Sequence, residues 1–73
     1  MPKLPVVKPR KFISVLKKKG FVEVRSDGSH LRYHDTHGHK VTVPYHNRPF
    51  KKGTLKSMLN QAEMTTEELI ELL

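Results

Sequence analysis

No cysteine and no tryptophan occurs among the 73 residues. Without thiols, neither a disulfide framework nor a thiolate metal site is possible, and a reducing compartment is favoured. Long apolar runs are also missing. None approaches the roughly 20 residues that span a bilayer. The start, Met1 to Arg10, carries three prolines in place of the apolar stretch of a signal peptide. A cytoplasmic protein with no membrane contact is expected. A chain this short forms one domain with a single thin core, which leaves no room for a deep cofactor cleft. The P-loop, dinucleotide glycines, nucleophile elbow and paired carboxylates that mark common enzyme classes are all absent.

Acid is scarce where base is dense. All 14 Lys and Arg fall between Lys3 and Lys56, opposed there only by Glu23, Asp27 and Asp35. The last stretch, residues 57–73, reverses the balance with Glu63, Glu67, Glu68 and Glu71 and no base. Net charge is +7 and the sequence pI about 10.0. Such an excess on a small surface draws in a polyanion by long-range steering and counterion release. Nucleic acid is the expected partner, against the plainer reading of a merely solvated surface.

Residues 1–7 read as a loose arm and residues 8–73 as one domain. Pro9 suits the first turn of a helix. Phe12, Ile13 and Leu16 follow at helical spacing, and Gly20 stops the helix. Phe21 to Arg25 alternates, with Val22 and Val24 on one face, and Ser26 to Ser29 forms a turn. From His30 to His34, Leu31 and Tyr33 point one way, and His30, Arg32 and His34 the other. A second turn around Gly38 leads to a strand from Lys40 to Val43, ended by Pro44. Gly53 or Thr54 opens a second long helix with Leu55, Met58, Leu59 and Ala62 on one stripe. Thr65 and Glu68 make a capping box, with Met64 stapled onto Leu69, for a short last helix. The result is an α+β fold of order α-β-β-β-α with a short extra C-terminal helix. Its three-stranded antiparallel sheet carries the helices on one face, so Leu31, Tyr33, Val41 and Val43 should meet the two long helices.

That arrangement leaves His30 on the open face beside Arg32, just after Gly28-Ser29. RNA carries its own nucleophile, the 2′-hydroxyl. Cleavage needs that hydroxyl deprotonated, the leaving 5′-oxygen protonated and the phosphorane charge neutralised. Imidazole titrates near neutral pH and performs either proton transfer, and Arg or Lys neutralises the charge. Gly28 allows close backbone approach and Ser29 can donate to a phosphate. The plainer reading of His30 is an ordinary exposed strand histidine. Lys51, Lys52 and Lys56 surround a helix start at Gly53-Thr54, where free N–H groups and the positive dipole end sit beside ammonium groups, as a phosphate site requires. The plainer reading there is a solvated lysine run. The lysine spacing is similar to the cluster with which double-stranded-RNA-binding domains grip phosphates. His34, His37 and His39 offer a third possibility, a Zn²⁺ or Ni²⁺ site, although closed zinc sites usually include thiolates.

Four landmarks resemble the HicA mRNA interferases, also called the YcfA-like family. They are Leu16-Lys17-Lys18-Lys19-Gly20-Phe21 closing a basic helix; Gly28-Ser29-His30 entering a strand; Val41-Thr42-Val43-Pro44-Tyr45-His46; and Gly53-Thr54-Leu55-Lys56-Ser57-Met58-Leu59 running into Gln61-Ala62. They keep the family's order and spacing over roughly residues 8–73. The resemblance implies a fold like that of double-stranded-RNA-binding domains. It implies the toxin of a type II toxin–antitoxin system, a ribosome-independent endoribonuclease that cuts mRNA and arrests growth without a metal or small-molecule cofactor. The family's catalytic histidine carries over onto His30, with Gly28 and Ser29 in the adjoining motif positions. His46 fills the histidine of the Pro-x-His motif, as a structural residue or a second proton carrier. A HicB-type antitoxin is the implied partner, covering the basic face. One departure is Glu63, where the family often has a glycine between helices.

Two other functions fit the same residues. A non-catalytic RNA-binding module would use the fold and lysines equally well but has no need of His30. A histidine-rich metal-binding protein would gain thermal stability with Zn²⁺ or Ni²⁺.

Overall fold

The computed structural model describes residues 3–73. Met1 and Pro2, the tip of the expected arm, lie outside the described residues. The elements run α1 (Pro9–Lys18), β1 (Val22–Asp27), β2 (His30–His34), β3 (Lys40–Pro44), α2 (Lys52–Gln61) and α3 (Thr66–Leu72). The strands form one antiparallel sheet in the order β1-β2-β3. This is the α-β-β-β-α order with a short added helix that the sequence predicts.

Each long helix ends because the chain turns left-handed immediately after it. Gly20, at φ 101°, follows α1. The Phe21 N–H then returns to the Leu16 carbonyl at 2.9 Å and the Gly20 N–H to Lys17 at 3.1 Å, which satisfies two orphan carbonyls. After α2 the same closure runs from Met64 to Leu59 and from Glu63 to Asn60. Here, however, the left-handed residue is Glu63, at φ 51°. The capping box of α3 forms as expected: Thr65 Oγ1 accepts from the Glu68 N–H at 3.1 Å, and the Glu68 carboxylate accepts from the Thr65 N–H. Glu68 also takes the Lys19 ammonium, which lowers its carboxyl pKa and ties α3 to the end of α1.

Helices α1 and α2 pack against β3, and α1 packs against α3. Tyr33, Val41 and Val43 are buried beneath them with Phe12, Val15, Leu16, Leu55, Met58, Leu59, Ala62 and Leu69. Leu31, expected in this layer, is half-buried and packs at its margin, in the register row it shares with Ser26 and Val43. The Tyr33 hydroxyl donates to Glu23 at 3.2 Å, and burial with that bond raises its pKa to about 12.

Three details differ from the sequence reading. The arm is not loose at its inner end. Val7 is only 2% exposed, its carbonyl accepts from the Phe50 N–H at 2.9 Å, and Leu4 packs on the core. A small core recruits the apolar residues at its edge. Helix α2 begins at Lys52 rather than at Gly53 or Thr54, because Lys51 supplies the extended N-cap and its carbonyl takes the Leu55 N–H. In β1, plain alternation fails at Val24. Glu23 pairs with Tyr33 but Arg25 pairs with Arg32, so Val24 is the extra residue of a bulge. Both Val22 and Val24 are exposed. Beyond the bulge, Arg25 and Asp27 share the face of Arg32 and His30, opposite to the helices.

Candidate functional site

The tightest turn in the chain delivers His30. Gly28 and Ser29 form the two-residue link between Asp27 and His30, and Gly28, at φ 61°, takes the first central position. Hairpin turns of the II′ kind reserve that position for glycine. His30 is therefore the first residue of the central strand. It is exposed, with Asp27 opposite on one side and Pro44 on the other.

Asp27 organises the charge beside it. One carboxylate oxygen accepts from Arg25 Nε at 2.9 Å, and the other lies 3.2 Å from Arg32 Nε. These pairs are solvent-exposed and add little to stability. Their consequence is positional. Two guanidiniums are aligned on the His30 face, each engaged through Nε with its terminal N–H groups still available. Arg32 belonged to the sequence reading; Arg25 and Asp27 did not, because a bulge cannot be read from alternation alone.

A second histidine comes in beyond the sheet end. The Tyr45 N–H donates to the Ser29 carbonyl at 2.6 Å, which extends the β2–β3 ladder and draws the Tyr45–His46 segment to the Gly28–Ser29 turn. His46 Nδ1 accepts from the Arg48 N–H at 3.2 Å, and its ring meets Phe50 edge-on at 5.6 Å. With Nδ1 accepting, the proton of the neutral ring sits on Nε2. Phe50 is itself buried against Phe12 at 5.9 Å, so the ring beneath His46 is fixed in the core.

His46 borders two open clefts. Pro44, Arg48, Pro49, Phe50, Lys51 and Thr54 line one with it. Lys8, Arg10, Tyr45 and Asn47 line the other. Lys51 and Thr54 thus come together with His46 at the end of the sheet. Lys52 and Lys56 are exposed on α2 and line neither cleft. Helix α2 has no side-chain cap and no acid in its first turn, so its leading N–H groups and the lysines keep that end positive. Tyr45 stands beside His46 in the motif that ends β3, whereas Lys8, Arg10 and Asn47 carry no signal in the sequence beyond their residue type.

The histidines considered for a metal are arranged otherwise. Both ring nitrogens of His39 are engaged, Nδ1 with Asp35 at 2.6 Å and Nε2 with Glu63 at 2.8 Å. The two carboxylates lie on opposite edges of the ring and cannot converge on one ion. Among the described residues no group of three His, Cys, Asp or Glu is disposed to hold a metal, and no helix is long and apolar enough to cross a membrane.

A family model described as the HicA toxin of bacterial toxin–antitoxin systems matches residues 9–64, which takes in α1, the whole sheet, α2 and every residue named around His30 and His46 except Lys8. No curated protein matches the chain. With well over half of its length in that match and with the predicted fold in place, the chain belongs to the HicA toxin family, the toxin side of a toxin–antitoxin pair.

Proposed function

We propose that this toxin is a ribosome-independent endoribonuclease that cleaves mRNA through acid–base catalysis by His30 and so arrests growth. The observation that carries the reading is the exposed His30 imidazole beside two guanidiniums held by one carboxylate. In such a reaction the 2′-oxygen of one nucleotide forms a bond to the adjacent phosphorus and the bond to the 5′-oxygen breaks. A base takes the 2′-proton, and an acid supplies a proton to the leaving oxygen. His30 performs one of these transfers. His46, whose Nε2 carries the proton when Nδ1 accepts from Arg48, is the candidate for the other. Arg25 and Arg32 balance the growing phosphorane charge. Gly28 lets the RNA backbone approach and Ser29 offers a hydroxyl. Lys51, Lys52, Lys56 and Thr54 hold phosphates further along the strand. Protein groups supply every proton and every positive charge, so the scheme needs no metal and no cofactor.

An open face suits a polymer such as mRNA better than a small metabolite. A HicB-type antitoxin that covered this basic face in the cytoplasm would block substrate and neutralise charge together. The test is expression of the wild type and of His30→Ala without antitoxin, with growth and bulk mRNA followed side by side. His30→Ala is expected to lose roughly 100- to 10,000-fold of the cleavage rate and to permit growth, with its melting curve unchanged. Arrest by both proteins with mRNA intact would replace catalysis with sequestration of RNA.

A further inference from the structure

Apart from His46, the residues of the cleft between the start of α1 and the loop after β3 have no part in the cleavage chemistry. Its lining is Lys8, Arg10, Tyr45, His46 and Asn47, and its volume is about 300 Å³. That is the lower end of the range for pockets that take small ligands. No acidic residue lines it. Two cations stand on the α1 wall. On the loop wall are Tyr45, a residue that is 40% exposed, and an amide carrying both donor and acceptor.

Both walls are anchored. The loop is pinned at one end by the Tyr45 N–H on the Ser29 carbonyl and at the other by the Phe50 N–H on the Val7 carbonyl. The second bond joins the loop to the segment that leads into Lys8 and α1. Tyr45 is also bonded to the residue that directly precedes His30. The loop that carries Tyr45 therefore begins beside the Gly28–Ser29 turn, one residue from His30.

We propose that this cleft binds one nucleotide of a single-stranded RNA beside the scissile phosphate, with Tyr45 stacked on the base, Asn47 reading its edge, and Lys8 and Arg10 on the neighbouring phosphate. Sequence-specific RNA recognition works on unstacked bases held in this way, on an aromatic face and hydrogen-bonded at the edge. An acidic or apolar partner would leave either the ring or the amide without a purpose. The assignment makes Asn47 the specificity residue and Tyr45 the platform. It rests on the nuclease reading for its role but not for its binding.

The experiment has two arms. In the first, the wild type, Asn47→Ala and Tyr45→Ala cut a random-sequence single-stranded RNA, and the product ends are mapped. Asn47→Ala is expected to lose roughly tenfold in base discrimination at one position flanking the cut, the effect of one base-edge contact. Tyr45→Ala is expected to raise KM at every site with kcat retained. In the second, the same substitutions are placed in the inactive His30→Ala chain, and short oligonucleotides of each base are titrated. This arm reads the cleft even if the wild type cuts nothing, an outcome that would overturn the nuclease reading alone. Unchanged base preference in both arms overturns the cleft assignment.

Discussion

The His39 imidazole donates through Nε2 to the Glu63 carboxylate at 2.8 Å, and Glu63 offers that carboxylate from a left-handed backbone at φ 51°. Nδ1 of the same ring meets Asp35 at 2.6 Å, and Asp35 also accepts the backbone N–H groups of His37 and His39. One histidine thus ties the β2–β3 turn to the junction of α2 and α3. Glycine is the usual residue at such a helix end, so backbone ease has been exchanged for a charge contact.

Stability should therefore depend on pH through this ring. Hydrogen bonds to Asp35 and then to Glu63 raise the His39 pKa above its ordinary 6.5. A raised value means that the contribution is complete below pH 6.5 and is lost as pH climbs through the folded-state value. At Asp35, burial pulls the pKa up, but the His39 imidazole and the two backbone N–H groups outweigh it and the net shift is down from 3.8. Its share is present above that value and fades as pH falls through the depressed one. In urea melts between roughly pH 5 and 9, the wild type should lose stability on the alkaline side while His39→Gln stays flat. Glu63→Gly should stabilise the alkaline form by about 1 kcal/mol, through relief of the left-handed backbone, and gain less in mild acid, where the contact it removes is strong. Parallel curves for all three proteins would show that the clamp contributes nothing.

Asp27→Asn tests whether aligned arginines matter to turnover. The substitution removes a negative charge from the His30 face and one anchor from each of Arg25 and Arg32. RNA should bind more tightly at low salt, because the face becomes more positive. Turnover should fall between roughly tenfold and a hundredfold, because the guanidiniums lose their placement. Tighter binding with an unchanged kcat would leave Asp27 with a purely electrostatic role.

Replacing Lys51 and Lys52 together with alanine should weaken RNA binding and reduce the salt-dependence slope by up to about 2. Lys51 borders the His46 cleft and Lys52 does not, so Lys51→Ala alone should carry most of any loss in kcat/KM. Filter-binding titrations over a salt series give the slope. If it does not move, the phosphate track runs elsewhere on the sheet.

Val7→Ala should destabilise the fold by about 2 kcal/mol, the cost of emptying a buried valine site. Residues in a loose arm would cost under roughly 0.5 kcal/mol. Chemical denaturation separates the two values and measures how far the domain extends toward its N-terminus.

Much of this protein is local in origin and could be read from order alone. Gly20 ends α1, Thr65 and Glu68 cap α3, and Leu55, Met58, Leu59 and Ala62 form a buried stripe, all as spacing dictates. Those features depend on residues within a turn or two of one another, where periodicity and capping chemistry suffice. Alternation in β2 likewise put His30 and Arg32 on the open face.

What the sequence could not decide depends on pairing between distant segments. The bulge at Val24 exists only through the register of β1 against β2, and it turns Arg25 and Asp27 toward His30. Val7 becomes core only because Phe50 reaches it, and Lys8, Arg10 and Asn47 become neighbours by the same closure. Glu63 meets His39 across 24 positions. Local chemistry fixed the elements and the placement of His30; cross-strand register and loop closure, which no single segment encodes, fixed what surrounds it.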